Sequence, residues 1–207
     1  MNLKDDSCGR IILFHGINGC EPETHICKMA PEFRNHGFSV IIPNIGTFSV
    51  FSMFFSRRID CRIVETLLSF IKPTDILLGH SNGATLVYMI TQKMHVRGAI
   101  LINAALDSNK RPDADFVHVY YNSGDLVSIF SAFMPFSAWG AMGALGYTGP
   151  EDGSTLNIDC GAPPVDWLPP LHGHSALFDS GNTAPWVKFQ VAMLLAEFHQ
   201  TETRILQ

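Results

Sequence analysis

The chain has 207 residues, of which 46% are hydrophobic and 16% are charged. This length is typical of one domain of generous size, and so much apolar material excludes general disorder. With 14 Lys and Arg against 19 Asp and Glu, the net charge of -5 argues against a basic surface for nucleic acid. We therefore expect a single domain over residues 1–207 with no nucleic-acid partner.

The sequence carries no signal for a membrane span or for secretion. Its apolar runs stay below the ~18 residues of a membrane helix, and the polar start MNLKDDSCGR lacks the apolar core of a signal peptide. The five cysteines are odd in number and show no C-x-x-C spacing, which favours reduced thiols. A disulfide between Cys20 and Cys27 is the alternative. These features predict a cytoplasmic protein without membrane insertion.

Six apolar runs bounded by turn residues predict six β-strands. They cover residues 10–15, 38–42, 75–79, 98–103, 116–121 and 154–159. Most runs are continuously apolar, which is typical of parallel strands buried on both faces. Apolar residues at helical spacing predict four helices, near residues 26–33, along 59–71, from 82 onward and around 186–193. The second of these rests on Ile59, Ile63, Leu67 and Ile71, each four residues after the last.

The alternation of strands and helices predicts the fold class. Such βαβ units build a three-layer α/β/α sandwich around a mainly parallel six-stranded sheet, with functional loops at the carboxyl ends of the strands. Two segments depart from this alternation. Residues 104–115 form a short polar connection, and residues 126–150, which contain Pro135, predict a broken helix or a flap.

A G-x-S-x-G pentapeptide occupies residues 79–83, between the third strand and the helix that follows it. The pattern is weak alone, but a strand-turn-helix context is the setting that holds a nucleophilic serine on a sharp turn. Gly79 and Gly83 supply the positions without side chains that such a turn needs. Ser81 is therefore the candidate nucleophile. The other interpretation is a glycine-rich turn without a catalytic role.

Together with His15-Gly16 at the end of the first strand, this pentapeptide resembles the α/β-hydrolase family over nearly the whole chain. The short connection at 104–115 has no room for a cap domain, so the chain is similar to the minimal, cap-less members. The resemblance implies an oxyanion hole made by the backbone N–H groups of Ile17 and Asn82. We expect His15 to lie beside the substrate pocket as a hydrogen-bonding residue and not as a proton carrier. The segment His-Gly-Ile-Asn-Gly at residues 15–19 could also be only a flexible turn.

The family's chain order of nucleophile, acid and histidine implies an acid after a later strand. Asp125 follows the fifth strand in the turn Asn-Ser-Gly-Asp, from which a carboxylate could orient a histidine. Asp159, at the end of the sixth strand, is the rival candidate. Either residue could instead cap a turn.

The histidine of the triad is expected after the last strand, where two candidates stand. His174 precedes Ser-Ala-Leu-Phe, which is similar to the family's histidine loop, and we favour it over His172. His172, His174 and Asp166 also suggest a metal site, but zinc would need another ligand within reach, and no other candidate lies near them in the sequence. We therefore predict no metal and no cofactor.

Phenylalanines are dense after the second strand. Phe48 and Phe51, with Phe54 and Phe55, are candidates to line an acyl pocket. Packing into the core explains them equally well.

These residues together predict a serine hydrolase that cleaves small-molecule carboxylic esters or thioesters. Ser81 is the nucleophile, His174 the base and Asp125 the residue that orients it. The alternative is a non-catalytic binding protein with the hydrolase fold, because a fold does not by itself determine function.

Overall fold

A parallel six-stranded sheet runs through the part of the chain that the computed structural model describes, residues 8–16, 25–46, 56–131 and 139–205. Its order in space is β2-β1-β3-β4-β5-β6. The strands are β1 (Arg10–Phe14), β2 (Ser39–Ile41), β3 (Ile76–His80), β4 (Val96–Ile102), β5 (Ala114–Tyr121) and β6 (Thr155–Asp159). All six predicted strands are confirmed, with bounds that differ by two residues at most.

Helices pack on both faces of this sheet. They are α1 (Met29–Asn35), α2 (Ser56–Leu67), α3 (Asn82–Thr91), α4 (Leu126–Ser131), α5 (Met142–Leu145) and α6 (Thr183–Ile205), with short 3-10 helices at His25–Lys28 and Ala176–Phe178. The predicted three-layer α/β/α sandwich is confirmed. Among the described residues, no helix is long and apolar enough to cross a lipid bilayer.

Successive residues of the central strands pack into two separate cores, because side chains alternate between the faces of a sheet. Ile11 and Leu13 of β1 pack in the core that contains residues of α1 and α6. Ile12 and Phe14 pack in the other, with residues of α2 and α3. The continuous apolar runs of the sequence follow from this burial on both faces.

The buried stripe of α2 differs from the predicted one. Leu67 and Ile71, which follows the helix, are buried as predicted, whereas Ile63 is only partly buried and its neighbour Val64 is buried, as is Asp60. The side chain of Ile59 lies outside the described part of the chain. A strict four-residue spacing drifts around a helix of 3.6 residues per turn, so a straight stripe alternates steps of four and three residues. A carboxylate, that of Asp60, therefore lies on the inward face of α2.

The segment 126–150 is broken, as predicted. It contains the two short helices α4 and α5, and residues 132–138 between them lie outside the described part. The connection at 104–115 has no helix along its described length and leads from β4 to its neighbour β5. Cys61 and Cys160 form no disulfide, and Cys20 lies outside the described residues.

Helix α3 lies very close to the strands beneath it. A methyl group at Gly83 would overlap the backbone carbonyl of Phe14 at the end of β1, and one at Gly79 would come within 2.5 Å of the backbone of Gly83 and Ala84. Neither contact is with a flexible side chain, so no local adjustment can relieve it. The two glycines are therefore required for α3 to start directly above the sheet.

Gly83→Ala should lower the free energy of unfolding by about 3 kcal/mol, because the added methyl forces α3 away from β1. Urea denaturation measures this change. Gly161→Ala is the control, since a methyl there comes no closer than 3.3 Å to any atom, and its effect should stay below about 1 kcal/mol. Equal effects of the two substitutions would contradict this account of the packing.

Candidate active site

Ser81 stands between β3 and α3 in a conformation that is rare for a residue with a side chain. Its φ is 55° and its ψ is -121°, a strained combination that persists only where the surroundings enforce it. The Ser81 N–H donates to the carbonyl of Ile102 at 3.0 Å, and the Ser81 carbonyl accepts from Ala84 and Ala105 at 3.1 and 3.2 Å. These bonds hold Ser81, which is partly exposed among buried neighbours, at the carboxyl edge of the sheet.

The loop after β1 lies against this serine. A methyl group at Gly16 would be only 2.9 Å from Ser81 Cβ, so the backbone of the loop passes directly beside the side chain. His15 is buried, and its Nδ1 donates to the Gly16 carbonyl at 2.7 Å. Burial lowers the pKa of His15, although this hydrogen bond opposes the effect. The neutral, hydrogen-bonded ring agrees with a structural role for His15. Ile17 lies outside the described residues.

Asp125 and His174 meet at the same edge of the sheet. His174 Nδ1 donates to Asp125 Oδ2 at 2.8 Å, and the carboxylate is fully buried whereas the imidazole keeps 15% exposure. Asn103 Nδ2 and Ser128 Oγ donate to the same oxygen at 3.0 and 2.6 Å. The other oxygen accepts from the Ser128 N–H at 3.1 Å.

This set of donors keeps Asp125 ionised. Burial by itself raises the pKa of Asp125, but the hydrogen bond and charge of His174 and the bonds from Ser128 outweigh it and hold the pKa at about 2. Because this value lies below that of an unfolded aspartate, about 3.9, the stabilisation is present above about pH 4 and is lost as the pH falls through about 2. At neutral pH the site therefore contains a buried negative charge beside the imidazole.

Two hydrogen-bond donors to Asp125, Asn103 and Ser128, were not predicted from the sequence. Asn103 follows β4 directly with a left-handed φ of 44°, and only the sheet order reveals that it lies between the residues that follow β3 and β5. The contact with Ser128 could have been predicted, because the carboxylate of an aspartate that precedes a helix often accepts a hydrogen bond from the backbone N–H three residues later. Asp125 does cap α4 in this way, so the capping interpretation and the pairing with His174 both hold.

The loop that carries His174 is tied to two strand ends. His80 Nε2 donates to the His174 carbonyl at 3.1 Å, and the two rings lie 4.9 Å apart. Asn122, which follows β5, donates through its side chain to the carbonyl of Leu171. Gly173 supplies the φ of 110° that turns the chain before His174, a conformation that side chains disfavour.

The rival candidates occupy other environments. Asp159 Oδ1 accepts from the Gly161 N–H at 2.8 Å and so caps a turn, and His172 is exposed. Within the described residues, which include Asp166, no three metal-ligating side chains converge. Phe48 and Phe51 lie outside the described residues, so their place in an acyl pocket stays a prediction.

A second buried carboxylate lies on the other side of the turn. Asp60 of α2 is fully buried, and its Oδ1 accepts from Asn82 Nδ2 at 3.2 Å. Asn82 Oδ1 accepts in turn from Trp139 Nε1 at 2.7 Å. Burial raises the pKa of Asp60 to about 6, against the hydrogen bond from Asn82, which lowers it. The sequence did contain an indication of Asp60, because this aspartate stands at helical spacing from the apolar residues Val64 and Leu67.

Sequence comparison finds no protein-family model and no curated protein that matches the chain. Solved structures do resemble it. A structure described as a hydrolase from Agrobacterium vitis S4 has a TM-score of 0.58 at 12% identity, over 93% of this chain and 89% of that one. A structure described as a hydrolase of the alpha/beta superfamily from Xanthomonas campestris has a TM-score of 0.55 at 16% identity, over 91% of this chain and 98% of that one. A structure described as a CIB-like hydrolase from Thermoplasma acidophilum has a TM-score of 0.54 at 17% identity, over 93% and 88%. At these identities the likeness concerns the fold.

Asp60→Asn should stabilise the protein more at pH 7.5 than at pH 4.5. A pKa of about 6 in the folded state against about 3.9 unfolded means that ionisation destabilises the fold progressively from about pH 4 to pH 6, by up to roughly 3 kcal/mol. The amide has no such ionisation, so urea denaturation at the two pH values should show a larger gain over the wild type at pH 7.5.

Asp166→Asn is the matched control, because Asp166 is exposed. Its effect on the free energy of unfolding should be small and similar at both pH values. A gain for Asp60→Asn that is equal at pH 4.5 and pH 7.5 would show that burial does not perturb this carboxyl.

Proposed function

Because the chain has the α/β-hydrolase fold, we propose that it is a serine hydrolase that cleaves carboxylic esters or thioesters. The observation that carries the proposal is the 2.8 Å hydrogen bond from His174 to the buried Asp125. It lies at the edge of the sheet where Ser81 occupies its strained turn. A strained serine, a paired imidazole and a buried carboxylate at one strand edge are the elements of nucleophilic catalysis by a triad.

The hydrogen bond between His174 and Asp125 sets which ring nitrogen acts. A carboxylate only accepts hydrogen bonds, so Nδ1 carries the proton and the neutral ring presents Nε2 as the base. In the proposed reaction Nε2 takes the proton of the Ser81 hydroxyl as Oγ attacks the acyl carbon. The imidazolium then gives this proton to the leaving alcohol or thiol, and the acyl group stays on Ser81.

Water completes the cycle by the same path. It attacks the acyl-enzyme while His174 accepts its proton, and the acid is released as the proton returns to Ser81 Oγ. Asp125, with its pKa of about 2, stays charged throughout and stabilises the imidazolium in both halves of the cycle. The tetrahedral oxyanion is proposed to accept hydrogen bonds from the backbone N–H groups of Asn82 and Ile17.

The substrate is proposed to be a small acyl ester or thioester with an apolar acyl group. Helix α4 begins directly after Asp125 and exposes Leu126, Val127 and Phe130, so apolar surface lies close to the pair. Phe48 and Phe51 stay the proposed lining of the acyl pocket. No step of this chemistry requires a cofactor.

A fluorophosphonate probe should label the wild-type protein on Ser81, and Ser81→Ala should abolish both labelling and hydrolysis of p-nitrophenyl butyrate. Loss of the nucleophile should lower kcat by several orders of magnitude, because triad members act as a unit. Intact-mass and peptide mass spectrometry locate the adduct. Ser123→Ala, at an exposed serine in the turn before Asp125, should keep wild-type activity. A wild-type protein that neither reacts nor turns over ester would favour the non-catalytic binding protein.

Asp125→Asn should lower kcat by up to ~10⁴-fold, because an amide favours the wrong tautomer of the imidazole and cannot stabilise its charged form. Asp159→Asn, at the carboxylate that caps a turn, should leave kcat within about twofold. Steady-state kinetics on p-nitrophenyl butyrate at pH 8 compares the two. A larger loss in Asp159→Asn would move the acid to that residue.

A further inference from the structure

Asn82 is held from both sides by side chains of distant parts of the chain. Its amide nitrogen donates to Asp60 Oδ1 at 3.2 Å and its amide oxygen accepts from Trp139 Nε1 at 2.7 Å. All three side chains are buried, with exposures of 1%, 0% and 7% for Asn82, Asp60 and Trp139. Both polar ends of the amide are therefore engaged in a site that excludes water.

Asp60 contributes to this arrangement at a cost to the fold. Its Oδ2 is buried and receives no hydrogen bond from the described residues. A buried carboxylate with an unused oxygen is less favourable than an amide or an apolar side chain of similar size. The same hydrogen bond to Asn82 could be accepted by a neutral group. Such an arrangement is expected where the geometry of the neighbouring residue matters more than stability.

Asn82, to which Asp60 is hydrogen-bonded, directly follows the proposed nucleophile Ser81. Asn82 is the first residue of α3, and the first N–H groups of a helix have no acceptor within the helix. The peptide unit that joins Ser81 to Asn82 carries this N–H, and its orientation depends on the Ser81 ψ of -121°. Fixing the Asn82 side chain on two sides restricts rotation of that peptide unit.

We propose that Asp60 and Trp139 are positioning residues that hold Asn82 so that its backbone N–H points at the oxyanion formed when Ser81 attacks an acyl carbon. This inference rests on the proposed function. Neither residue touches the reacting atoms in this account. They act through Asn82 and contribute to stabilisation of the transition state, where a preorganised donor has its effect.

The test compares two substitutions of Asp60. Asp60→Asn keeps an oxygen that can accept from Asn82, and Asp60→Leu removes it at similar size. Asp60→Leu should lower kcat for p-nitrophenyl butyrate about tenfold or more with KM within twofold, since a misplaced oxyanion donor affects the transition state and not substrate binding. Asp60→Asn should retain kcat within about threefold.

Trp139→Phe is the second, independent variant, because it removes the Nε1–H donor and keeps an aromatic ring. It should lower kcat in the same way, with KM unchanged. Trp167→Phe, at a tryptophan that is 53% exposed, is its control and should behave as the wild type. The inhibition constant of a butyl trifluoromethyl ketone, which forms a tetrahedral oxyanion adduct, should rise in Asp60→Leu and Trp139→Phe by the factor by which kcat/KM falls.

The outcomes separate this inference from the proposed function. If the wild type is not labelled by fluorophosphonate, the proposed function fails and this inference fails with it. If the wild type is labelled but Asp60→Leu and Trp139→Phe keep wild-type kcat and ketone inhibition, only the positioning role is overturned. An Asp60→Asn variant as impaired as Asp60→Leu would also overturn it, because the hydrogen bond to Asn82 would then not be the reason.

Discussion

The arrangement of the site depends on how closely α3 approaches the sheet. Gly83 lets the helix touch the carbonyl at the end of β1, and Gly79 lets β3 pass into the turn below it. With side chains at these positions the helix would stand further out, and Ser81 could not be forced into its φ of 55°. The central strands are buried on both faces, and the hydrogen bonds of Ser81 with Ile102, Ala84 and Ala105 hold the turn in this strained conformation.

The two buried carboxylates beside the turn show that burial alone does not decide ionisation. Asp125 and Asp60 are both inaccessible to solvent, yet the pKa of one is held at about 2 and that of the other is raised to about 6. Within the described part of the chain, Asp125 accepts four hydrogen bonds, one of them from an imidazole, whereas Asp60 accepts one from an amide. The number and charge of the donors make the difference. The first arrangement suits a group that must stay charged, and the second a group that positions its neighbour.

The fold could be predicted almost completely from the sequence. Strands buried on both faces of a parallel sheet are apolar along most of their length, and most of the six predicted strands have this pattern, so six strands separated by helical patterns have few alternative arrangements. The helix that contains Asp60 shows where this reasoning failed. Residues four apart drift off one face of a helix, so the prediction included Ile63 in place of the buried Val64 and did not include the inward-facing Asp60.

The sequence by itself predicted the order of strands along the chain, the turn at Ser81 and two candidates each for the acid and the histidine of the proposed site. These features are local, since they depend on hydrophobic period, turn residues and the order of elements. Only the tertiary structure placed Asp125 and not Asp159 beside His174, added Asn103 to the same carboxylate, and joined Asp60 and Trp139 through Asn82. Each of these contacts joins residues at least 22 positions apart. Side chains so distant in sequence meet only because neighbouring strands end at one edge of the sheet and helices pack across it, and no local pattern encodes such a meeting.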